Sequence, residues 1–258
     1  MAPMQGGGWF ENTNMRIVLI NPNSTESMTA TMMDAASRIV APDTELVGLT
    51  ASYGPESIEG HYDGAFSVPP LLEALRKQED AIDGVVIGCF DDTGVDPTRS
   101  MLDVPVIGIC QAAMQAATTL AGSFSVITTL GRSVPVLEHL ALKYGYERSC
   151  RRIRACEVPV LELEQADGPG RARIRAEIEA ALHADRAEAI VLGCAGMVGF
   201  AAELTVEYAV PVIEGVTVAV KTVEGLACLG LKTSCHGGYA PPRTKRYRGH
   251  FQQFAPDD

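Results

Sequence analysis

D-G-V-V-I-G-C at 83–89 and E-A-I-V-L-G-C at 188–194 are near copies of one another. Each is an apolar run too short for a helix, flanked by a charged residue and a Gly-Cys pair. Apolar on both faces, such a run reads as a central strand of a parallel sheet. A second pair follows at almost the same distance, D-V-P-V-I-G at 103–108 and A-V-P-V-I-E-G at 209–215. The cysteines are 105 residues apart and the Val-Pro-Val triplets 106. Two independent matches at nearly one offset indicate an internal duplication.

Working outward, strands and helices alternate. Arg16–Ile20 is a short apolar strand, and Asn21-Pro22-Asn23-Ser24-Thr25 is its strand-to-helix turn, with Ser24 or Thr25 as the helix cap. The Asn23-Ser24-Thr25 triplet also matches a glycosylation sequon, an idle feature without secretion. Further strands are expected at Glu45–Leu49, Gly84–Gly88, Val104–Ile109, Ser123–Thr128, Ala189–Leu192 and Pro211–Ile213. Helices are expected after Pro69-Pro70 over Leu71–Lys77, at Q-A-A-M-Q-A-A (111–117), and over Arg171–Asp185. The expected fold is α/β, with two pseudo-symmetric lobes, each a parallel sheet flanked by helices. The expected boundaries are a flexible leader at 1–14, lobe 1 at 15–112 plus 216–240, lobe 2 at 113–215, and a basic, mobile tail at 241–258. Met15 is a second possible start. Ligands of open α/β sheets bind beyond the carboxyl ends of the strands, so two facing lobes share one cleft.

Composition excludes several classes. With 21 Lys+Arg against 32 Asp+Glu, the net charge is −11, which disfavours a phosphate backbone as partner. No apolar run approaches the roughly 20 residues of a membrane-spanning helix. The N-terminus lacks a basic start and an apolar core, so the expectation is a cytoplasmic protein. Seven cysteines with no C-x-x-C pair suit neither a disulfide framework nor a zinc site. There is no Walker loop, dinucleotide fingerprint, H-E-x-x-H or nucleophile elbow. His139 and His183 fall in helical stretches and read as surface or satisfied side chains. No metal and no cofactor is expected.

Cys89 and Cys194 stand out because the duplication matches them. Inverting a carbon acid needs a base on one face and an acid on the other, and two opposed thiols, one ionised, supply both. A following helix N-terminus can lower a thiol pKa, and Gly88, Gly193 and Gly196 leave room for backbone amides that could hold an enolate oxygen. Cys110, Cys150, Cys156, Cys228 and Cys235 have no counterparts and read as ordinary small apolar residues.

The segments I-N-P-N-S-T (20–25), G-P-E-S-I-E-G-H-Y-D (54–63), A-F-S-V-P-P (65–70), G-C-F-D-D-T-G (88–94), F-S-V-I-T-T-L-G-R-S-V-P-V (124–136), A-E-A-I-V-L-G-C-A-G-M (187–197) and G-G-Y-A (237–240) resemble the hydantoin racemase family. That family stands with allantoin racemases in the aspartate/glutamate racemase superfamily. The resemblance runs from about Met15 to Pro242. It implies a two-lobed pseudo-symmetric fold, cofactor-independent racemisation by Cys89 and Cys194, and a homo-oligomer. It further implies a pocket containing Asn21, Asp92, Thr93, Gly94, Thr128, Thr129, Ala195, Gly196, Gly215 and Val216, with the last helix, opened by Gly215, Val216 and Thr217, aimed at the ligand. Thr128 and Thr129 read equally well as turn and capping residues, and Asp91 and Asp92 as solvated turn residues.

Relatives acting on amino acids follow the first cysteine with Asn-Thr and the second with Thr-His. Here the followers are F-D-D-T and A-G-M. Aspartates beside a site repel a carboxylate but accept bonds from ring N–H groups. The expected substrate is therefore a small cyclic ureide, a 5-monosubstituted hydantoin, with Phe90, Ile58 and Tyr62 around its substituent. Allantoin, itself a 5-ureidohydantoin, is the nearest rival. Remoter ones are a one-cysteine decarboxylase, a thiol redox protein and a two-lobed binding protein without catalysis.

Overall fold

Two four-stranded parallel sheets carry the chain, ordered β2-β1-β3-β4 and β6-β5-β7-β8, so the second repeats the first with every strand advanced by four. The computed structural model describes residues 15–164 and 169–256; the leader expected at 1–14 lies outside them. The first lobe runs β1 (Met15–Asn21), α1 (Glu26–Ser37), β2 (Thr44–Thr50), α2 (His61–Arg76), β3 (Gly84–Ile87), α3 (Val95–Met101), β4 (Val106–Gly108) and α4 (Ile109–Leu120). The second runs β5 (Phe124–Thr128), α5 (Val134–Tyr144), β6 (Cys150–Ala155), α6 (Gly170–His183), β7 (Ala189–Gly193), α7 (Ala201–Tyr208), β8 (Val212–Glu214) and α8 (Gly215–Cys228).

The central strands are buried throughout, as their apolar runs require: β3 and β7 have no exposed residue. The helices that leave the two short strands cross over. Helix α4 packs on β7 and β8, α8 packs on β1, β3 and β4, and α4 and α8 pack on one another. One apolar core accordingly joins Ile17 and Val86 of the first sheet to Val126 and Val191 of the second, with Met114 and Val220 between them.

One local expectation is corrected, and one strand lies outside the expected set. Helix α2 begins at His61, so Pro69 and Pro70 lie inside it rather than before it. Proline removes a backbone donor there, but the carbonyls left over belong to Ala65 and Phe66, which are exposed and reach water. Strand β6, C-R-R-I-R-A, carries no strand pattern because it is a charged edge strand whose only fully covered residue is Ile153. Beyond α8 the chain lies against the first lobe, where Arg76 Nη1 donates to Gln253 O at 2.9 Å and Arg99 Nη1 to Tyr239 Oη at 3.2 Å. Among the described residues, no helix is long and apolar enough to cross a membrane.

Candidate active site

Each glycine of the duplicated Gly-Cys pairs sits where a neighbouring strand comes too close for a side chain. A Cβ on Gly88 would stand 2.7 Å from Met32 Sδ and 3.2 Å from Ile20 O, and one on Gly193 would stand 3.0 Å from Ile127 O. The chain therefore leaves each sheet at full packing density, and the next residue is the first free to look into the cleft. Those residues are Cys89 and Cys194.

Both thiols line one cavity of about 30 Å³ between the lobes, room for a water or two. Lobe 1 contributes Asn23, Met28, Ile58, Cys89, Phe90 and Asp91; lobe 2 contributes Thr128, Thr129, Ser133, Val160, Cys194 and Ala195. One bond ties the lobes beside it, Val160 N donating to Glu59 Oε1 at 3.1 Å, and Glu59 is itself held within the first lobe, its N donating to Asp63 Oδ2 at 3.0 Å. Among the described residues no cluster of His, Cys, Asp and Glu is arranged to hold a metal ion.

Burial dominates the electrostatics. It pushes the Cys194 thiol up to about 12 against the pull of the Gly196 amide, and the negative charge of Asp91 adds to the rise. Cys89 is raised further by burial and then by Asp91, opposed by the Asp91 and Thr93 amides and the Thr93 hydroxyl. The amide dipoles anticipated beside each sulfur are thus present, but they do not outweigh desolvation.

Of the residues expected at the site, Cys89, Cys194, Thr128, Thr129 and Ala195 line the cavity, as do Ile58 and Phe90, expected around the substituent. Thr128 also donates its hydroxyl to Gly193 O at 3.2 Å, tying β5 to the second Gly-Cys turn. Thr93 sits behind the first thiol, its Oγ1 3.7 Å from Cys89 Sγ, and Gly196 behind the second, its amide facing the sulfur. Gly94 serves the backbone: its φ of 91° opens α3 in a conformation that favours glycine.

Four expectations need correction. Asn21 is fully buried and faces inward: its Nδ2 donates to Asn23 Oδ1 at 2.8 Å and to Thr29 Oγ1 at 3.1 Å, and Asn23 lines the cavity in its place. Asp92 turns away through a left-handed φ of 48° and caps α4, accepting from Cys110 N and Gln111 N at 3.0 Å each and from Tyr144 Oη at 2.7 Å. Gly215 and Val216 open α8, but the Glu214 carboxylate accepts from Val216 N at 2.6 Å and Thr217 N at 3.0 Å, so these two amides are taken by the chain itself, and neither Gly215 nor Val216 lines the cavity. Tyr62 is 74% exposed, stacked on Phe66 outside the cleft. Asn23, Met28, Ser133 and Val160 were missed; they come from loops and helix starts far apart in sequence, where no periodic pattern marks them.

Comparison with known proteins agrees with this geometry. A family model described as Asp/Glu/Hydantoin racemase matches residues 17–223. The chain is 48% identical to a hydantoin racemase of Rhizobium meliloti over 92% of this chain and 98% of that one. It is 40% identical to a hydantoin racemase of Pseudomonas sp. (strain NS671), covering 93% and 97%. The structure of an allantoin racemase from Klebsiella pneumoniae superposes with a TM-score of 0.90 at 43% identity, covering 94% of this chain and all of that one. A duplicated α/β fold, matched thiols in one cleft and end-to-end similarity lead to one conclusion: this chain belongs to the Asp/Glu/Hydantoin racemase family and is a racemase.

Proposed function

We propose that the protein racemises 5-monosubstituted hydantoins without a cofactor, using Cys89 and Cys194 as an acid–base pair. The observation that carries this reading is that one small cavity is lined by both thiols, one from each lobe. One cysteine, as thiolate, removes the C5 proton from one face of the ring. The C–H electron pair passes into the neighbouring carbonyl, giving an enolate. The opposite thiol then gives its proton to C5 from the other face, so the two sulfurs end with their protonation states exchanged. Reversal of these roles converts the other enantiomer.

Burial that raises a thiol also makes its thiolate a stronger base, which suits removal of a weakly acidic C–H proton. Asn23 supports the enolate. Its Oδ1 is held by Asn21 Nδ2 at 2.8 Å and Thr25 N at 3.0 Å, which leaves Nδ2 facing only the weak acceptor Met28 Sδ at 3.5 Å and available to an oxyanion. Met28, Ile58, Phe90 and Val160 provide apolar walls for the 5-substituent. Allantoin is the second reading, favoured by the 43% identity to an allantoin racemase over nearly the whole chain.

The test incubates the protein with one enantiomer of a 5-alkyl hydantoin or of allantoin in D₂O. Loss of optical rotation with deuterium at C5 is expected, and Cys89→Ser or Cys194→Ser alone should abolish racemisation. Undiminished racemisation by the double variant would refute the thiol mechanism. Relative rates on the two substrates decide between the readings.

A further inference from the structure

We propose that Asp91 sets the substrate class of this site, its carboxylate accepting a ring N–H of an uncharged cyclic ureide and repelling molecules that carry a carboxylate of their own. The inference rests on the racemase reading above and deepens it.

The two adjacent aspartates do different work. Both oxygens of Asp92 are consumed by the start of α4 and by Tyr144. Asp91 instead lines the cavity between the two thiols, and among the described residues its carboxylate has no hydrogen-bond partner. No Arg, Lys or His lines the cavity. A half-buried carboxylate without a protein cation or donor accepts only from water, and a molecule that enters can replace that water with donors of its own. A ring N–H flanked by carbonyls meets that need, and those carbonyls in turn can accept from Asn23, Thr129 and Ser133. An α-carboxylate would enter a space that holds a negative charge and no positive one. Burial, and then the charge of Asp92, push the Asp91 carboxyl up to about 7, as expected of an acid waiting for a donor.

Wild type and Asp91→Asn are assayed polarimetrically on four probes: (S)-5-methylhydantoin, its N1-methyl and N3-methyl derivatives, and (S)-hydantoin-5-acetate, which adds a carboxylate to the same ring. With wild type, methylation of one of the two nitrogens should lower kcat/KM at least about tenfold, and the acetate should be used at least about tenfold less well than the methyl compound, the scale set by like charges a few ångströms apart. Asp91→Asn should shrink the methyl-to-acetate preference about tenfold, a change in ratio that loss of fold does not mimic. Equal turnover of both N-methyl probes by wild type, or an unchanged ratio in Asp91→Asn, overturns the role of Asp91 while leaving the racemase reading standing. Should Asp91→Asn fail to fold by circular dichroism, the wild-type N-methyl series decides alone. Wild type that racemises none of the probes, nor allantoin, removes the substrate reading itself.

Discussion

The Nδ2 of Asn21 donates to Asn23 Oδ1 at 2.8 Å, so the asparagine at the end of β1 acts on the cavity through the one two residues later. Removal of each therefore has a different signature. Asn23→Ala takes an N–H from the cavity and should lower kcat by about 10²-fold, the usual cost of one oxyanion donor, and it also removes the acceptor of Asn21 Nδ2 and Thr25 N. Asn21→Ala strips partners from fully buried polar atoms and should cost about 1–3 kcal/mol of stability, read in a thermal melt, with a smaller loss of kcat. Equal kinetic effects from both would contradict this division.

Asp92 predicts a purely structural phenotype. Asp92→Ala leaves Cys110 N, Gln111 N and Tyr144 Oη without their acceptor where α4 crosses between lobes. The expected loss is about 2–4 kcal/mol, or roughly 5–10 °C in melting temperature for a chain of this size. The preference between neutral and carboxylate-bearing hydantoins should stay put, unlike in Asp91→Asn.

Both site thiols are raised by burial, Cys194 to about 12 and Cys89 further. Raised acids stay protonated at neutral pH, and the reactive thiolate–thiol form grows about tenfold per pH unit well below the pKa. Alkylation of Cys89 by iodoacetamide, followed by peptide mass spectrometry, should therefore climb steadily from pH 7 to 9.5. A plateau near pH 8 would mean that the amides outweigh desolvation after all.

The bond from Val160 N to Glu59 Oε1 ties one lobe to the other beside a cavity with room for a water or two. A hydantoin has seven ring and carbonyl non-hydrogen atoms, so the cleft must widen to take it, and this contact resists that widening. Glu59→Ala should speed alkylation of Cys194, only 8% exposed, by about an order of magnitude, the scale of one lost charge-assisted hydrogen bond. The exposed Cys228 and Cys235 serve as internal standards whose labelling should not change.

The two parallel sheets and the matched Gly-Cys pair were legible in the sequence because central parallel strands must be apolar on both faces, and because the duplication wrote the Gly-Cys exit twice; the strand order and the charged edge strand β6 were not. The finer site was not. Which of Asp91 and Asp92 faces the cavity depends on a single left-handed φ at Asp92, a choice that two identical letters cannot express. Asn21 and Asn23 lie in one turn, and only the bonding pattern tells support from lining. Met28, Ser133 and Val160 reach the cleft from segments with no shared period, so only tertiary packing assembles them.

Asp91 also predicts a pH-dependent stability. Its carboxyl is raised from 3.8 to about 7 by burial and by the charge of Asp92. Below about pH 4 the group is protonated in folded and unfolded chains alike, and it costs nothing. Between about pH 4 and 7 the unfolded chain ionises while the folded one keeps its proton, so stability falls as pH rises; above 7 the folded chain bears the full cost of a buried charge. At about 1.4 kcal/mol for every tenfold change in proton affinity, that cost is on the order of 4 kcal/mol at most. Asp91→Asn, which keeps the shape and removes the charge, should melt close to wild type at pH 4.5 and several degrees above it at pH 8. Equal differences at the two pH values would show that Asp91 is already paired in the folded protein, and would remove the reason for it to seek a donor in the substrate.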